Sequence, residues 1–156
     1  MDRYQDLAHK MVADCPAMRV ARATRVLARV FNDEFRALGL QVSQHGVLTF
    51  VALAGKDGAT IGALADEMVL DPTTLTRNLR PLQKAGYLTL TRSPKDGRAQ
   101  IVSLTKKGQK TIAAIFPLWR RAYGRLQDAL GPSRLAELSK QLDQATAAVT
   151  ASKPRK

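Results

Sequence analysis

Cysteine is nearly absent from this chain: Cys15 stands alone, so no intrachain disulfide framework can hold the fold. Histidine is as scarce. His9 and His45 lie far apart and remote from any suggestive nucleophile, without the ligand spacing of a structural zinc site, so no metal or other cofactor is expected. No phosphate-cradling glycine loop, zinc-protease helix or nucleophile elbow occurs, which argues against an enzyme. Aromatic residues make up 5% of the chain, too few to build stacking platforms for single-stranded nucleic acid, and only Tyr87 sits near a basic stretch. No apolar run approaches the roughly 18 to 20 residues of a membrane span. The first thirteen residues carry acids and no signal-peptide core, so the expected location is the cytoplasm, with no membrane partner.

Acids are also in deficit, at 13 against 25 lysines and arginines, leaving a net charge of +12. Such an excess points to a polyanionic partner and says nothing about fold. The 156 residues suffice for one domain with a real core or two closely fused lobes.

The cationic residues are most informative between Asp71 and Leu104. Asp71 is a good helix N-cap and Pro72 suits the first helical position, where no backbone N–H is needed. At about 100° per residue, Leu75, Leu79 and Leu82 share one face, and Thr73, Arg77, Arg80 and Lys84 gather opposite, with no acid among them. Gly86 ends the helix as a left-handed cap. Pro81 is expected to bend it after two turns, which leaves Lys84 at most a phosphate contact. Two β-prone runs follow, Tyr87 to Arg92 and Gln100 to Leu104. Between them the Asp96-Gly97 pair signals a hairpin turn, with Arg92, Lys95 and Arg98 at or near its tip. A helix plus a basic ribbon can occupy two grooves of duplex DNA at once, the helix in the major groove and the tip in the minor.

Elsewhere the periodicity is helical. Pro16 to Leu38 reads as one long helix, with an apolar stripe of Val20, Leu27, Phe31, Phe35 and Leu38 ended by Gly39-Leu40. Its far side carries Arg22, Arg25, Arg29 and Arg36, most simply a solvent face, with DNA phosphates or an acidic effector as sharper alternatives. Ser43 is expected to cap the next helix and Thr60 a short one whose Ile61, Leu64, Ala65 and Met68 face inward. Thr105 can cap a long helix in which Ile112, Phe116, Trp119, Tyr123, Leu126 and Leu130 form a heptad-like seam, kinked by Pro117. After Gly131-Pro132 a last helix repeats the pattern with Leu135, Leu138, Leu142, Ala145 and Val149. The two seams can fold on each other or join an intersubunit bundle. The tail is short, basic and expected to be disordered.

The chain resembles the MarR family of winged helix-turn-helix transcription regulators. The resemblance is carried by Leu64-Ala65, by Thr76-Arg77 with Leu82 and Gly86, by Asp96 and Arg98 in the wing, and by Val102-Ser103-Leu104-Thr105 with Gly108. It extends at lower specificity over about residues 16–146. It implies a mainly α fold with a small β-wing, a winged helix-turn-helix flanked by N- and C-terminal dimerisation helices. Residues 1–40 would belong to the dimerisation region, 41–105 form the DNA-binding lobe, 106–150 the C-terminal dimerisation helices and 151–156 the basic tail.

The function expected is a sequence-specific regulator of double-stranded DNA, a homodimeric, ligand-responsive repressor on a pseudo-palindromic operator. Thr73, Thr74, Thr76, Arg77 and Arg80 would lie in or beside the major groove, Arg98 in the minor groove, and Arg92 and Lys95 on phosphates. Asp96 would brace the wing, since a carboxylate near phosphate is repelled. In this family effectors, often aromatic acids, bind between the DNA-binding lobe and the dimer helices, and His45, Phe50, Trp119 and Arg120 are the candidates for that lining, for a small aromatic or acidic ligand. Cys15, close to a helix N-terminus whose dipole favours a thiolate, is the candidate for redox sensing, although the chain has no second cysteine to resolve a sulfenic acid. A general nucleic-acid architectural protein is the remaining alternative.

Overall fold

The computed structural model describes residues 2–152. Seven α-helices and three strands follow one another as α1 (Arg3–Asp14), α2 (Pro16–Phe35), α3 (Val42–Leu53), β1 (Ala59–Thr60), α4 (Ile61–Glu67), α5 (Pro72–Lys84), β2 (Leu88–Arg92), β3 (Gln100–Leu104), α6 (Lys106–Leu130) and α7 (Pro132–Ala151), with a 3-10 turn at Arg36–Leu38. The mainly helical fold with a small antiparallel sheet is the one expected. The long helix expected from Pro16 to Leu38 is α2 with its 3-10 turn, and a further helix, α1, precedes it across Cys15-Pro16, where Cys15 is extended and Pro16 opens α2. The tail beyond Ser152 lies outside the described residues.

Helix ends follow local chemistry. The Thr60 hydroxyl accepts from the Ala63 amide at 3.2 Å, and the Thr105 hydroxyl from the Gly108 amide at 3.0 Å. The expectation for Ser43 is corrected. α3 begins at Val42 after Gln41, whose amide donates to the Gln44 side chain at 2.9 Å, while Asn32 on α2 accepts from the Val42 amide at 2.7 Å and ties the two helices. Past α5, the Tyr87 amide returns to the Leu82 carbonyl and the Gly86 amide to Gln83, with Gly86 at φ +76°, the hydrogen-bond pattern of a Schellman cap. Both helices with an interior proline continue past the ring, α5 to Lys84 beyond Pro81 and α6 to Leu130 beyond Pro117.

The core lies within the central lobe. Phe35, Val47, Leu48, Val51, Leu64, Ala65, Leu75, Leu79, Leu82, Leu88 and Val102 pack together, joined by Ile115 and Leu118 of α6. The inward trio of α5 is the one its spacing dictates, each leucine contributing on the order of 1.5–3 kcal/mol by burial. The sheet order is β1-β3-β2, antiparallel throughout, with Leu88 opposite Leu104 and Ala59 opposite Val102. Two-residue β1 carries no period of its own and did not show in the pattern.

α6 corrects the seam expectation. Its buried residues are Gly108, Ile115, Leu118 and Ala122, which pack on the central lobe and on α2, while Phe116 and Leu130 are exposed. Of the predicted seam, Ile112 and Trp119 pack against the core while Phe116 and Leu130 stay outside, so the seam shares only part of the intrachain contact. Glu34 of α2 clamps the α2–α6 pair, accepting from Arg121 Nε at 2.9 Å with Arg125 at 3.5 Å; the Arg121 hydrogen bond is the chief cause of its lowered carboxyl pKa. α1 has no buried residue and α7 only Leu135. The α7 stripe, Leu138, Leu142 and Val149 included, faces solvent. Within one chain, then, the two seams do not close on each other.

Candidate nucleic-acid interface

Helix α5 is held from both ends and from behind. Asp71 Oδ1 accepts from the amides of Thr73 at 2.8 Å and Thr74 at 3.0 Å, and Oδ2 accepts from the Thr74 hydroxyl. Hydrogen bonds from Thr74, its hydroxyl foremost, lower the Asp71 carboxyl pKa, so the cap stays ionised where the helix dipole favours negative charge. The buried leucines then turn Thr73, Arg77 and Arg80 outward, and all three are exposed. Neither arginine makes a side-chain hydrogen bond or ion pair among the described residues, so both guanidinium groups present their full set of donors.

The three threonines are not equivalent. Thr76 donates its hydroxyl to the Pro72 carbonyl at 2.7 Å and Thr74 donates to Asp71. Each retains only acceptor capacity toward anything outside. The Thr73 hydroxyl is the least committed of the three, adding only the smallest of the contributions that lower the Asp71 pKa. No sequence pattern distinguishes these cases, because they depend on which carbonyl or carboxylate each rotamer reaches.

The wing is longer than a two-residue hairpin. The strands close with Ser93 N–H on the Ala99 carbonyl at 2.9 Å, and the Ala99 amide on the Asp96 carbonyl, also at 2.9 Å. Inside this loop the Ser93 hydroxyl accepts from the Lys95 and Asp96 amides at 3.2 and 3.3 Å, and Asp96 Oδ1 accepts from the Arg98 amide at 2.9 Å. The Asp96 carboxylate thus folds back onto its own loop. Asp96-Gly97 opens the turn rather than forming its two central residues. Arg92, Lys95 and Arg98 are exposed around it. Ser93, the buried polar residue at the base, escaped the sequence reading, although a serine two and three residues before backbone donors is a recognisable turn signal.

Behind this surface Lys107 spans two elements. Its ammonium donates to the Ala85 carbonyl at 2.7 Å and sits 4.6 Å from the centre of the Tyr87 ring. The one aromatic ring near the basic stretch is therefore covered by a lysine, in keeping with the scarcity of stacking platforms.

A second concavity of about 310 Å³ opens between α3 and α6, lined by His45, Thr49, Ile112, Ile115, Phe116 and Trp119. His45 and Trp119 were anticipated there. Phe50 packs against the core instead and Arg120 is exposed, neither lining the cavity. Thr49, Ile112, Ile115 and Phe116 were missed, although His45 and Thr49 stand four apart and Ile112, Ile115, Phe116 and Trp119 step along one helix face. Burial lowers the His45 pKa, and its ring lies 4.9 Å from that of Phe35. Cys15 is half-buried at the joint between α1 and α2. Among the described residues, no cluster of three or more His, Cys, Asp or Glu could hold a metal ion, and no helix is long and apolar enough to cross a membrane.

Comparison with known proteins agrees with this geometry. The model of the MarR family matches residues 38–99, which run from the 3-10 turn after α2 to the wing loop just before β3. The HTH-type transcriptional regulator SarZ of Staphylococcus epidermidis is 28% identical over 87 residues, 56% of this chain; the chain spans 57% of that relative's length. The M. tuberculosis transcriptional regulator MosR, solved in complex with DNA, is 28% identical with a TM-score of 0.74, covering 87% of this chain and 98% of its own. A mutant MarR from E. coli, complexed with operator DNA, is 23% identical and matches in fold with a TM-score of 0.77, over 86% of this chain and 96% of its own.

Proposed function

We propose that this chain is a winged helix-turn-helix regulator of the MarR family, a homodimeric, ligand-responsive repressor reading a pseudo-palindromic operator; the family model over residues 38–99, the 28% identity to SarZ and the fold shared with DNA-bound MosR support this reading. The observation that carries the reading is the outward face of α5, where Thr73, Arg77 and Arg80 stand exposed beside a wing bearing Arg92, Lys95 and Arg98. Arginines without an internal partner can donate two hydrogen bonds to guanine in the major groove, and Arg98 would enter the flanking minor groove. Thr74 and Thr76 accept from base edges, Thr73 adds a donor, and Lys95 and Arg92 meet phosphates. Asp96 holds the wing loop in shape for that contact. The reading involves no catalytic step.

A dimer is supported by the apolar surface left open on the terminal helices. Tyr4, Leu7 and Met11 on α1 are each more than half exposed, and Leu138, Leu142 and Val149 on α7 are exposed as well. Residues 1–40 and 106–150 would supply this interface, leaving 41–105 as the DNA-binding lobe. Two-fold symmetry would place the recognition helices about 34–36 Å apart, one turn of duplex. A ligand between α3 and α6 would favour a spacing that the operator does not match and so empty the DNA-competent population.

The test compares affinity for a palindrome from the chain's own upstream region with that for random duplex, at stated salt. Arg77→Ala is expected to cost about 1–3 kcal/mol on the palindrome if it reads a base, and Arg98→Ala to weaken binding as well. If neither substitution changes affinity or its salt slope, the reading face is wrong. A palindrome-to-random ratio near one would favour an architectural protein instead.

A further inference from the structure

We propose that the cavity between α3 and α6 takes a neutral one- or two-ring aromatic alcohol, gripped at its hydroxyl by His45 and Thr49, and discriminates against aromatic carboxylates. The inference rests on the ligand-responsive reading above and names the ligand class for it.

The lining supports this assignment by what it contains. Four of its six residues, Ile112, Ile115, Phe116 and Trp119, are apolar, and neither lysine nor arginine is among them. Trp119 stacks with Phe116 at an interplanar angle of 16° and with Tyr123 at 17°, so the indole is already oriented as part of an aromatic wall. A flat ring can lie along such a wall. At about 310 Å³ the space is at the small end of ligand cavities.

The polar side of the cavity is two groups wide. His45 and Thr49 stand one helical turn apart on α3, on the same face. Neither side chain makes a hydrogen bond with any described residue, so both are free to serve a ligand. Burial favours the uncharged imidazole, which has one donor and one acceptor nitrogen, and a threonine hydroxyl can also do either. Two groups that each donate and accept are best satisfied together by a ligand group that does both. A phenolic hydroxyl does; it donates to one and accepts from the other. A carboxylate accepts only, and its charge would enter an apolar wall with no cation to offset desolvation. The exposed guanidinium of Arg120 is outside the lining and does not supply that cation.

The experiment uses the full chain and two probes with the same bicyclic ring, 2-naphthol and 2-naphthoate, titrated calorimetrically at neutral pH. The expected result is that 2-naphthol binds at least about tenfold more tightly. Thr49→Val, which keeps the shape of the side chain and removes its hydroxyl, should weaken 2-naphthol by about fivefold. His45→Leu should do the same, with circular dichroism establishing that both variants are folded. Equal or tighter binding of 2-naphthoate overturns the ligand class while leaving an effector cavity in place. No heat with either probe, or a loss of 2-naphthol affinity in neither folded variant, overturns the site itself. Duplex binding, measured separately without ligand, reports on the regulator reading and is untouched by either result.

Discussion

Val69 occupies a conformation that its side chain disfavours, and relieving it should stabilise the protein. It lies in the turn between α4 and α5 at φ +52°, the one non-glycine residue with positive φ among those described. The Leu70 amide reaches back to the Ala65 carbonyl at 2.8 Å and the Val69 amide to Asp66 at 3.1 Å, so the turn is a helix cap of the type normally built on glycine. A left-handed backbone costs an ordinary L-residue roughly 1–2 kcal/mol, and β-branching aggravates it. Val69 is 58% exposed, so its removal forfeits little burial. Val69→Gly recovers the strain but loosens the unfolded chain, at about 0.4–1 kcal/mol. The net gain is about 0.5–1 kcal/mol, a rise in Tm of about 1–4 °C for a chain of this size. Val69→Asn, whose side chain tolerates this region, should move in the same direction, and Val69→Thr, equally branched, should not. Thermal melts by circular dichroism at one fixed protomer concentration provide the comparison. A lower Tm for both Gly and Asn would refute the reasoning, because it would mean that valine's contacts across the turn outweigh its backbone strain.

The remaining predictions concern packing, pH and assembly. Gly108→Ala should destabilise the fold by more than 1 kcal/mol in chemical denaturation, at about the upper end for an ordinary substitution, since a Cβ there would collide with the Tyr87 carbonyl oxygen; a neutral result would mean that α6 can shift off β2. Because burial lowers the His45 pKa, the unfolded chain takes up that proton first as pH falls. Stability should therefore decline from its full value above about pH 6.5 and level off below the folded pKa. His45→Leu should flatten that part of the urea-midpoint profile; an unchanged profile would remove His45 as its source. Leu138→Lys combined with Leu142→Lys should leave the fold of the central lobe intact and shift sedimentation from dimer to monomer, as expected for charges placed on an interface; a dimer that persists would put the interface elsewhere.

Legibility followed the range of the forces involved. The α5 face could be read because three leucines at helical spacing, a capping aspartate and a proline at the first position all act within one element. The wing strands were legible for a similar reason, since β2 and β3 are neighbours in sequence. The two-residue β1 was not, because its pairing with β3 spans forty residues and leaves no local period. The α3–α6 cavity was half legible: His45 and Trp119 drew notice by residue type, but Phe50 and Arg120 point elsewhere, a matter of helix rotation that composition does not encode.

What the amino-acid order determined by itself was most of the longer elements, the caps at Thr60, Asp71 and Thr105, the side of α5 that faces outward and the cationic character of that side. Each of these depends on neighbours within a few residues or on the count of charges. Only the tertiary structure decided that α6 packs through Ile115, Leu118 and Ala122 with just Ile112 and Trp119 of the seam beside them, that two of the three threonines spend their hydroxyl protons internally, and that a small uncharged cavity lies between α3 and α6. Those depend on which surfaces meet across the fold, and the free energy of meeting is shared among residues too distant in the chain for any local pattern to record.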